Sequence, residues 1–437
     1  MPDHAKSTNP IVQSQLDRLT MLSPGRDVLG LERITVLLDR LGNPHHKLPP
    51  VFHVAGTNGK GSTCAFLRGA IEAAGLTCHV YSSPHLVRFN ERIRVAGKLI
   101  DDTTLAALLA EVLDHAEGLE ASFFEVTTAL AFLAFARAPA DACIIEVGLG
   151  GRLDATNVIA APVACGIASL GIDHEAFLLA PEEGAPKDPH VRIGWEKAGI
   201  AKHGVPLVIQ KYDRPVHDII VAHAKITESP LVANGNEWNA AVYRNQLHYR
   251  DANGTLSVSL PALPGAHQAQ NAALAIAMLR HQHAILIPES AYKAAMGWTK
   301  WPARLQKLSH GPLKTMLPET EIWLDGGHNA DAGAVIGQFF EQYGRSAHLI
   351  IGMLANKDPV SFLHGLEGDL ESITAVPVPN HEYHPVEAYR SALPVEWAEN
   401  VTEALGQLES QRPELVLICG SLYLAGEVLR LNGELPT

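Results

Sequence analysis

Long apolar runs are missing from this 437-residue chain. None approaches the roughly 20 residues that a membrane helix needs, so a soluble protein is expected. Basic charge is also short. Lys and Arg number 34 against 47 Asp and Glu, a formal net charge of -13, which argues against a general polyanion binder such as a non-specific DNA protein. Any phosphate site must therefore be local, and no nucleic-acid or membrane partner is expected. Cysteine is scarce: Cys64, Cys78, Cys143, Cys165 and Cys419 never form a C-x-x-C pair and mostly have apolar neighbours. Buried thiols, a reducing compartment and no zinc site follow. The start, Met1-Pro2-Asp3-His4-Ala5-Lys6, lacks a charged-then-apolar signal pattern, so a cytoplasmic location is expected. Tandem repeats and low-complexity tracts are absent too.

What is present is an ordinary globular balance, 47% hydrophobic and 19% charged. The length exceeds what one core usually organises, so two domains are expected, residues 1–299 and 300–437. Apolar spacing predicts a helix around Val28 to Leu41, ended by Pro44, Pro49 and Pro50. A short strand, Val51-Phe52-His53-Val54, runs straight into Gly56-Thr57-Asn58-Gly59-Lys60-Gly61-Ser62-Thr63. A helical pattern from Thr63 to Ala74 and a strand at Thr77 to Tyr81 complete a βαβ unit. Helices are expected over Leu105 to Leu113 and Thr127 to Phe135, and buried parallel strands at Ala142 to Ile145 and Val163 to Ala168. Residues 180–192 read as a surface loop rich in Pro, Glu, Gly and Asp, and the stretch from Trp238 to Leu260 as one hairpin around Asn253-Gly254. A second α/β series follows residue 300, with strands at Ile322 to Leu324, His348 to Ile351 and Leu415 to Cys419.

The segment from Gly56 to Thr63 places three glycines, one lysine and two hydroxyls between a strand and a helix. Its backbone N–H groups can cradle phosphates at the positive end of the helix, and Lys60 can offset γ-phosphate charge. Gly61, between Lys60 and Ser62, breaks the strict G-x-x-x-x-G-K-[ST] pattern, so strand before and helix after carry the reading. Glu146 ends an apolar strand and should emerge at the carboxyl edge of the sheet, where α/β folds bind ligands. With the Ser83 hydroxyl it forms an oxygen donor pair suited to Mg²⁺, although a plain strand-end acid is the alternative. His174 falls on the same edge and could hold a second metal. On position alone it could equally be an ordinary surface or core histidine.

Three long motifs in order, Gly56 to Thr63, Tyr81-Ser82-Ser83-Pro84-His85-Leu86, and Glu146-Val147-Gly148-Leu149-Gly150-Gly151-Arg152-Leu153-Asp154-Ala155-Thr156-Asn157, closely resemble the bifunctional dihydrofolate synthase/folylpolyglutamate synthase family of the Mur ligase superfamily. Further matches are Gly30-Leu31-Glu32-Arg33, Glu196-Lys197-Ala198-Gly199-Ile200, His267-Gln268 with Asn271, Pro302-Ala303-Arg304-Leu305 and Asp325-Gly326-Gly327-His328-Asn329. The resemblance implies a P-loop three-layer α/β ATPase domain followed by a smaller Rossmann-like α/β domain, with the site in the cleft between them. It also implies ligation of L-glutamate to dihydropteroate and to reduced folates through an acyl phosphate. By the same resemblance Thr57, Asn58, Gly59, Lys60, Gly61 and Ser62 hold ATP phosphates, and Asn271, Arg304 and Asp325 are further ATP contacts. Ser83 and Glu146 bind one Mg²⁺, and His174 binds a second with Lys197, which is expected to be carbamylated. Lys60, Lys197 and His174 are the expected catalytic residues.

Ser122, Phe123, Phe124 and Glu125, with Leu153, Asp154 and Ala155, match the family's pterin-holding segments. Core packing is the competing reading for Phe123 and Phe124. His328 is assigned to the incoming glutamate, and a monomer is expected. One departure stands out: after Asp173-His174 the usual leucine-glycine step reads Phe177-Leu178-Leu179, and the loop before Glu196-Lys197 is longer than usual. Rival readings are a folylpolyglutamate synthase without the first activity, a cell-wall Mur ligase, which would carry a substantial domain ahead of the phosphate loop, and an ATP-sensing switch.

Overall fold

The computed structural model describes residues 5–22, 29–366 and 370–437; Val28, where the first expected helix was to begin, lies outside them. The chain forms two compact units. The first comprises residues up to Pro84, Arg88–Ala262 and Gln268–Thr299; the second comprises His85–Val87, Leu263–His267 and Lys300–Thr437.

Short apolar strands frame the first unit: β1 (Val51–Ala55), β2 (Cys78–Tyr81), β3 (Ile93–Val95), β4 (Lys98–Leu99), β5 (Ala142–Glu146), β6 (Ala164–Ile167), β7 (Leu207–Ile209) and β8 (Leu231–Ala233). They lie in the order β4-β3-β2-β5-β1-β6-β7-β8. All pair in parallel except β3 and β4, which close one edge antiparallel. Its helices are α1 (Pro10–Leu22), α2 (Glu32–Arg40), α3 (Lys60–Ala73), α4 (Asp102–Ala116), α5 (Phe123–Ala136), α6 (Glu175–Leu178), α7 (Pro189–Ala198), α8 (Arg214–Ile226), α9 (His267–Arg280) and α10 (Glu289–Trp298). Alternate residues such as Cys143 and Ile145 enter a core with α1, α2, α4 and α5. The helix α3 lies against β1, β2 and β5 and carries α10 on its back. Cover on both faces is why β1 and β5 read as unbroken apolar runs, and all five cysteines are buried and free.

Three expectations need correction. Residues 238–259 form a three-stranded antiparallel sheet rather than one hairpin: β9 (Trp238–Tyr243), β10 (Gln246–Asp251) and β11 (Gly254–Ser259). The missed turn uses Arg244 and Asn245 at φ 49° and 58°, a pair that Asn alone signals weakly. Residues 189–192 are not loop, because Asp188 caps α7 through the Val191 N–H and Pro189 fits its first turn. The helix expected from Leu105 starts earlier, since Asp101 accepts from Thr104 N and fixes the start of α4.

In the second unit β12 (Gln306–Leu308), β13 (Glu321–Leu324), β14 (Ala347–Ile351), β15 (Leu370–Ala375), β16 (Val395–Trp397) and β17 (Leu415–Cys419) form one sheet. The order is β12-β13-β17-β14-β15-β16, parallel except for β12. The helices α11 (Pro312–Met316), α12 (Ala330–Tyr343), α13 (Pro359–His364), α14 (Val401–Leu408) and α15 (Leu422–Asn432) complete it.

Candidate active site

The sheet register of the first unit brings distant motifs to one edge. Val54 pairs with Glu146, Tyr81 with Ile145 and Ala55 with Ile167. The Gly56 loop, Ser83, Glu146 and the segment after β6 therefore leave the sheet side by side. Parallel strands with helical crossovers place all their carboxyl ends on that edge.

The phosphate loop is held by its neighbours. Thr57 N and Asn58 N donate to Ser169 O at 2.8 and 3.3 Å. The Thr57 hydroxyl donates to Gly171 O at 2.8 Å and accepts from Gly171 N at 3.1 Å. Gly59, at φ 82°, is the residue before α3 and provides no side-chain cap. The first-turn N–H groups of the helix are thus left for an outside anion. Gly61 and Ser62 are buried in that turn. Lys60 Nζ folds back and donates to Gly56 O at 3.0 Å and Thr57 O at 3.2 Å.

Glu146 is buried, and its Oε2 accepts from Ser83 N at 3.4 Å. The charges of Glu146 and Lys60 both reach the Cys64 thiol, which burial pushes up. Lys197 lies 4% exposed, its Nζ 3.5 Å from Gly150 O. Burial, together with the Lys60 charge, pushes the amine down to about 7, while Asp173, Asp154 and Glu196 oppose the shift. His174 sits at φ 54° just before α6, with an exposed ring whose Nε2 is 3.9 Å from Asp173 Oδ2. Among the described residues no group of three His, Cys, Asp or Glu side chains could hold a metal. A metal held at this edge would draw on donors of other types, such as the Ser83 hydroxyl.

The expected pterin residues fall into two sets. Phe124 rests on Gly148, where a Cβ would meet its ring, and lies 6.0 Å from the Tyr81 ring. Phe123 instead joins the core, edge-on to Phe89 with Arg92 at 5.4 Å. Ser122 and Glu125 form a capping box at the start of α5, Ser122 N donating to Glu125 Oε2 at 2.7 Å. Arg33 Nε donates to the same oxygen at 3.0 Å; Glu125 Oε1 is buried and has no hydrogen-bond partner among the described residues. Asp154 accepts from Leu149 N at 2.8 Å and Thr156 N at 3.0 Å, so it shapes the turn that bears Leu153 and the buried Ala155. Burial raises its carboxyl above the usual range.

No family model matches the chain. The dihydrofolate synthase/folylpolyglutamate synthase of Escherichia coli K12 is 33% identical over 421 residues, covering 92% of this chain and 91% of its own. The chain belongs to the dihydrofolate synthase/folylpolyglutamate synthase family. The folylpolyglutamate synthase of Lacticaseibacillus casei is 31% identical, covering 91% of this chain and 92% of its own. The structure of E. coli FolC in complex with DHPP and ADP superposes with a TM-score of 0.84 at 30% identity, over 97% of this chain and 98% of that one. A bifunctional folylpolyglutamate synthase/dihydrofolate synthase with Mn, AMPPNP and L-glutamate bound gives 0.83 at 28%, over 97% and 98%.

In this family member the remaining expected residues divide between the units. Asn271, on α9 of the first unit, is buried, donates to Gln268 Oε1 at 3.2 Å and presses its side-chain oxygen against Gly59. In the second unit Asp325 ends β13 and accepts from Leu305 N and Gly327 N, both at 2.7 Å. Arg304 stands between Ala303 and Leu305, at φ 54° and 44°. Left-handed residues that are not glycine on both sides of Arg304 mark a strained backbone, of the kind found at ligand clamps. His328 Nδ1 is 3.0 Å from Gly326 O. Sequence reading missed Ser169 and Gly171, which hold the loop largely through backbone atoms, with the Ser169 hydroxyl also donating to Asn58 O at 3.3 Å; backbone contacts leave no residue pattern to find. It also missed Glu182 and Arg192, whose only signal was charge inside a loop and at a helix start.

Proposed function

We propose that this chain joins L-glutamate to 7,8-dihydropteroate, giving dihydrofolate, and to reduced folates, giving polyglutamates, with ATP as phosphoryl donor. Residues 1–299 bind the nucleotide and pterin, and residues 300–437 contribute Arg304, Asp325 and His328 to nucleotide and glutamate binding. The observation that carries the chemistry is the gathering on one sheet edge of an uncapped helix start, a buried carboxylate and a buried amine of lowered basicity.

The acceptor carboxylate oxygen attacks the γ-phosphorus of ATP, ADP leaves, and an acyl phosphate results. The glutamate amine, having lost its extra proton, attacks the acyl carbon, and phosphate departs from the new amide. Positioning and charge stabilisation are what a protein can add to such a step. The backbone of Thr57 to Ser62 cradles the phosphates, and Lys60 exchanges its loop carbonyls for γ-phosphate oxygens. Asn271 braces Gly59, and the Thr57 hydroxyl keeps the loop fixed to Gly171.

A divalent cation serves the reaction, and Mg²⁺ held by Ser83 and Glu146, with a second ion at His174 and Lys197, would screen charge on the transferring phosphoryl group. The first donor pair fits a hard cation, being a hydroxyl and a buried carboxylate. The second fits only if Lys197 is carbamylated, because an ammonium has no lone pair whereas a carbamate offers two oxygens. An amine pushed down to about 7 has a substantial neutral fraction near neutral pH, where an ordinary lysine is almost wholly charged. Its nitrogen can bond to the carbon of CO₂ and release a proton.

Phe124, against Gly148 and near the Tyr81 ring, provides an aromatic face for a flat pterin. A polyglutamate synthase without the first activity is the second reading, favoured by the L. casei relative at nearly the same identity. No helix among the described residues is long and apolar enough to cross a membrane, and we assign a monomer in the cytoplasm. The test is ATP- and Mg²⁺-dependent phosphate release with L-glutamate, run with 7,8-dihydropteroate and with tetrahydrofolate. Turnover with both is expected; turnover with tetrahydrofolate alone selects the second reading, and silence with both in an ATP-binding sample overturns ligation.

A further inference from the structure

We infer that Glu182, in the loop ahead of α7, is a positioning residue that fastens the Lys197 helix to the Gly150–Asp154 turn. The inference rests on the role proposed for Lys197. Two arginines and two glutamates close a ring around this joint. Arg152 Nη2 lies 2.7 Å from Glu182 Oε2 and 3.0 Å from Glu196 Oε1. Arg192 Nη2 lies 2.6 and 3.1 Å from the same two oxygens. Each cation meets each anion, so removing one member leaves every other bond intact but unbalances the charge. Both guanidinium groups also sit on the Trp195 ring, at 4.2 and 4.6 Å from its centre.

The ring ties together the parts that set the position of Lys197. Arg152 belongs to the turn, while Arg192, Trp195 and Glu196 belong to the helix that presents Lys197. Under the ring the two backbones are already in contact. Arg152 N donates to Glu196 O at 2.8 Å, and a Cβ on Gly151 would stand 3.1 Å from Lys197 Cα. Arg192 Nε also donates to Leu178 O at 3.0 Å, and Leu178 Cδ2 packs on Gly150. That carbonyl-bearing glycine is the one Lys197 Nζ faces.

Arg192 and Glu196 have side chains only 5% and 4% exposed, so their pairing is shielded from water. Glu182, at 39%, reaches in from the surface and neutralises the second arginine. Without it, two guanidinium groups share one buried carboxylate and repel each other across the joint. The arginine hydrogen bonds hold the Glu182 carboxyl below the usual range and so favour its charged form.

The test compares the full-length wild type with Glu182→Gln, Glu182→Asp and Arg192→Gln. Glu182→Gln should lower kcat about tenfold, as small misplacements of catalytic groups do, while KM for ATP and far-ultraviolet dichroism stay unchanged. Glu182→Asp should recover part of the loss, and Glu182→Gln with Arg192→Gln should be non-additive. Samples under ¹³CO₂ should show a weaker carbamate carbon signal in Glu182→Gln than in the wild type. Unchanged kcat and carbamate signal, or a loss spread equally over kcat and KM for ATP, would overturn the positioning role. A wild type with no carbamate signal but a selective kcat loss in Glu182→Gln would keep the positioning role and remove only the carbamate reading.

Discussion

The side-chain oxygen of Asn271 stands where a Cβ on Gly59 would have to be. Gly59 also needs its φ of 82°, a left-handed conformation that costs other residues about 1–2 kcal/mol. Gly59→Ala should therefore displace Asn271 and reshape the phosphate loop together. A drop in AMPPNP affinity of about tenfold or more is expected by titration calorimetry, following about 1.4 kcal/mol per decade. Wild-type affinity would show that this contact is dispensable.

Lys60→Ala should abolish ligation. Its ammonium, now resting on Gly56 and Thr57 carbonyls, is the cation built into the phosphate loop, and losing such a donor costs about 10²–10³ in kcat. Phosphate release at saturating ATP measures this, and near-normal turnover would remove Lys60 from the mechanism.

Lys197 gives opposite signs for function and stability. Its folded value, pushed down to about 7, lies far below an unfolded lysine. Between about 7 and about 10 the unfolded chain binds more protons, so stability rises with pH across that window and is least below it. Lys197→Met should melt higher than the wild type in metal-free, CO₂-depleted buffer at pH 6, with the gap shrinking towards pH 10, while ligation is lost. An equal melting temperature at both pH values would contradict the buried amine.

Phe124→Ala separates the acceptor site from the nucleotide site. The ring covers Gly148 next to the Glu146 strand end, and its loss should cut kcat/KM for dihydropteroate by about tenfold, in line with a lost aromatic contact. KM for ATP should hold. Equal effects on both substrates would mean that Phe124 supports the turn rather than the pterin.

Asp325→Ala should destabilise the second unit by about 1–3 kcal/mol, because Leu305 N and Gly327 N lose a buried acceptor. Urea unfolding reads this, and an unchanged midpoint would assign the carboxylate to ligand contact alone.

The strand-loop-helix from Val51 to Ala73 was legible because everything that makes it is local: an apolar strand, glycines where φ is positive, and a lysine at the helix start. Glu146 was legible as a strand end for the same reason. The Trp238–Ser259 sheet was half read, since Asn253-Gly254 announces its turn and Arg244-Asn245 does not. Ser122 and Glu125 carry a capping-box spacing visible in the sequence, yet pattern alone could not say whether those groups face a ligand or their own helix.

By itself the sequence determined the order of α and β elements, the phosphate loop and family membership, because these depend on short-range pattern and on motifs tens of residues long. The tertiary structure decided which groups share one environment. Lys197 reads as a helix-surface lysine until the Gly150 turn, forty-seven positions away in the chain, closes over it. Glu182 reads as a loop acid until Arg152 and Arg192 converge on it. Burial and charge pairing are properties of space rather than of sequence neighbours, and the lowered basicity of one lysine and the clasp beside it exist only once the chain is folded.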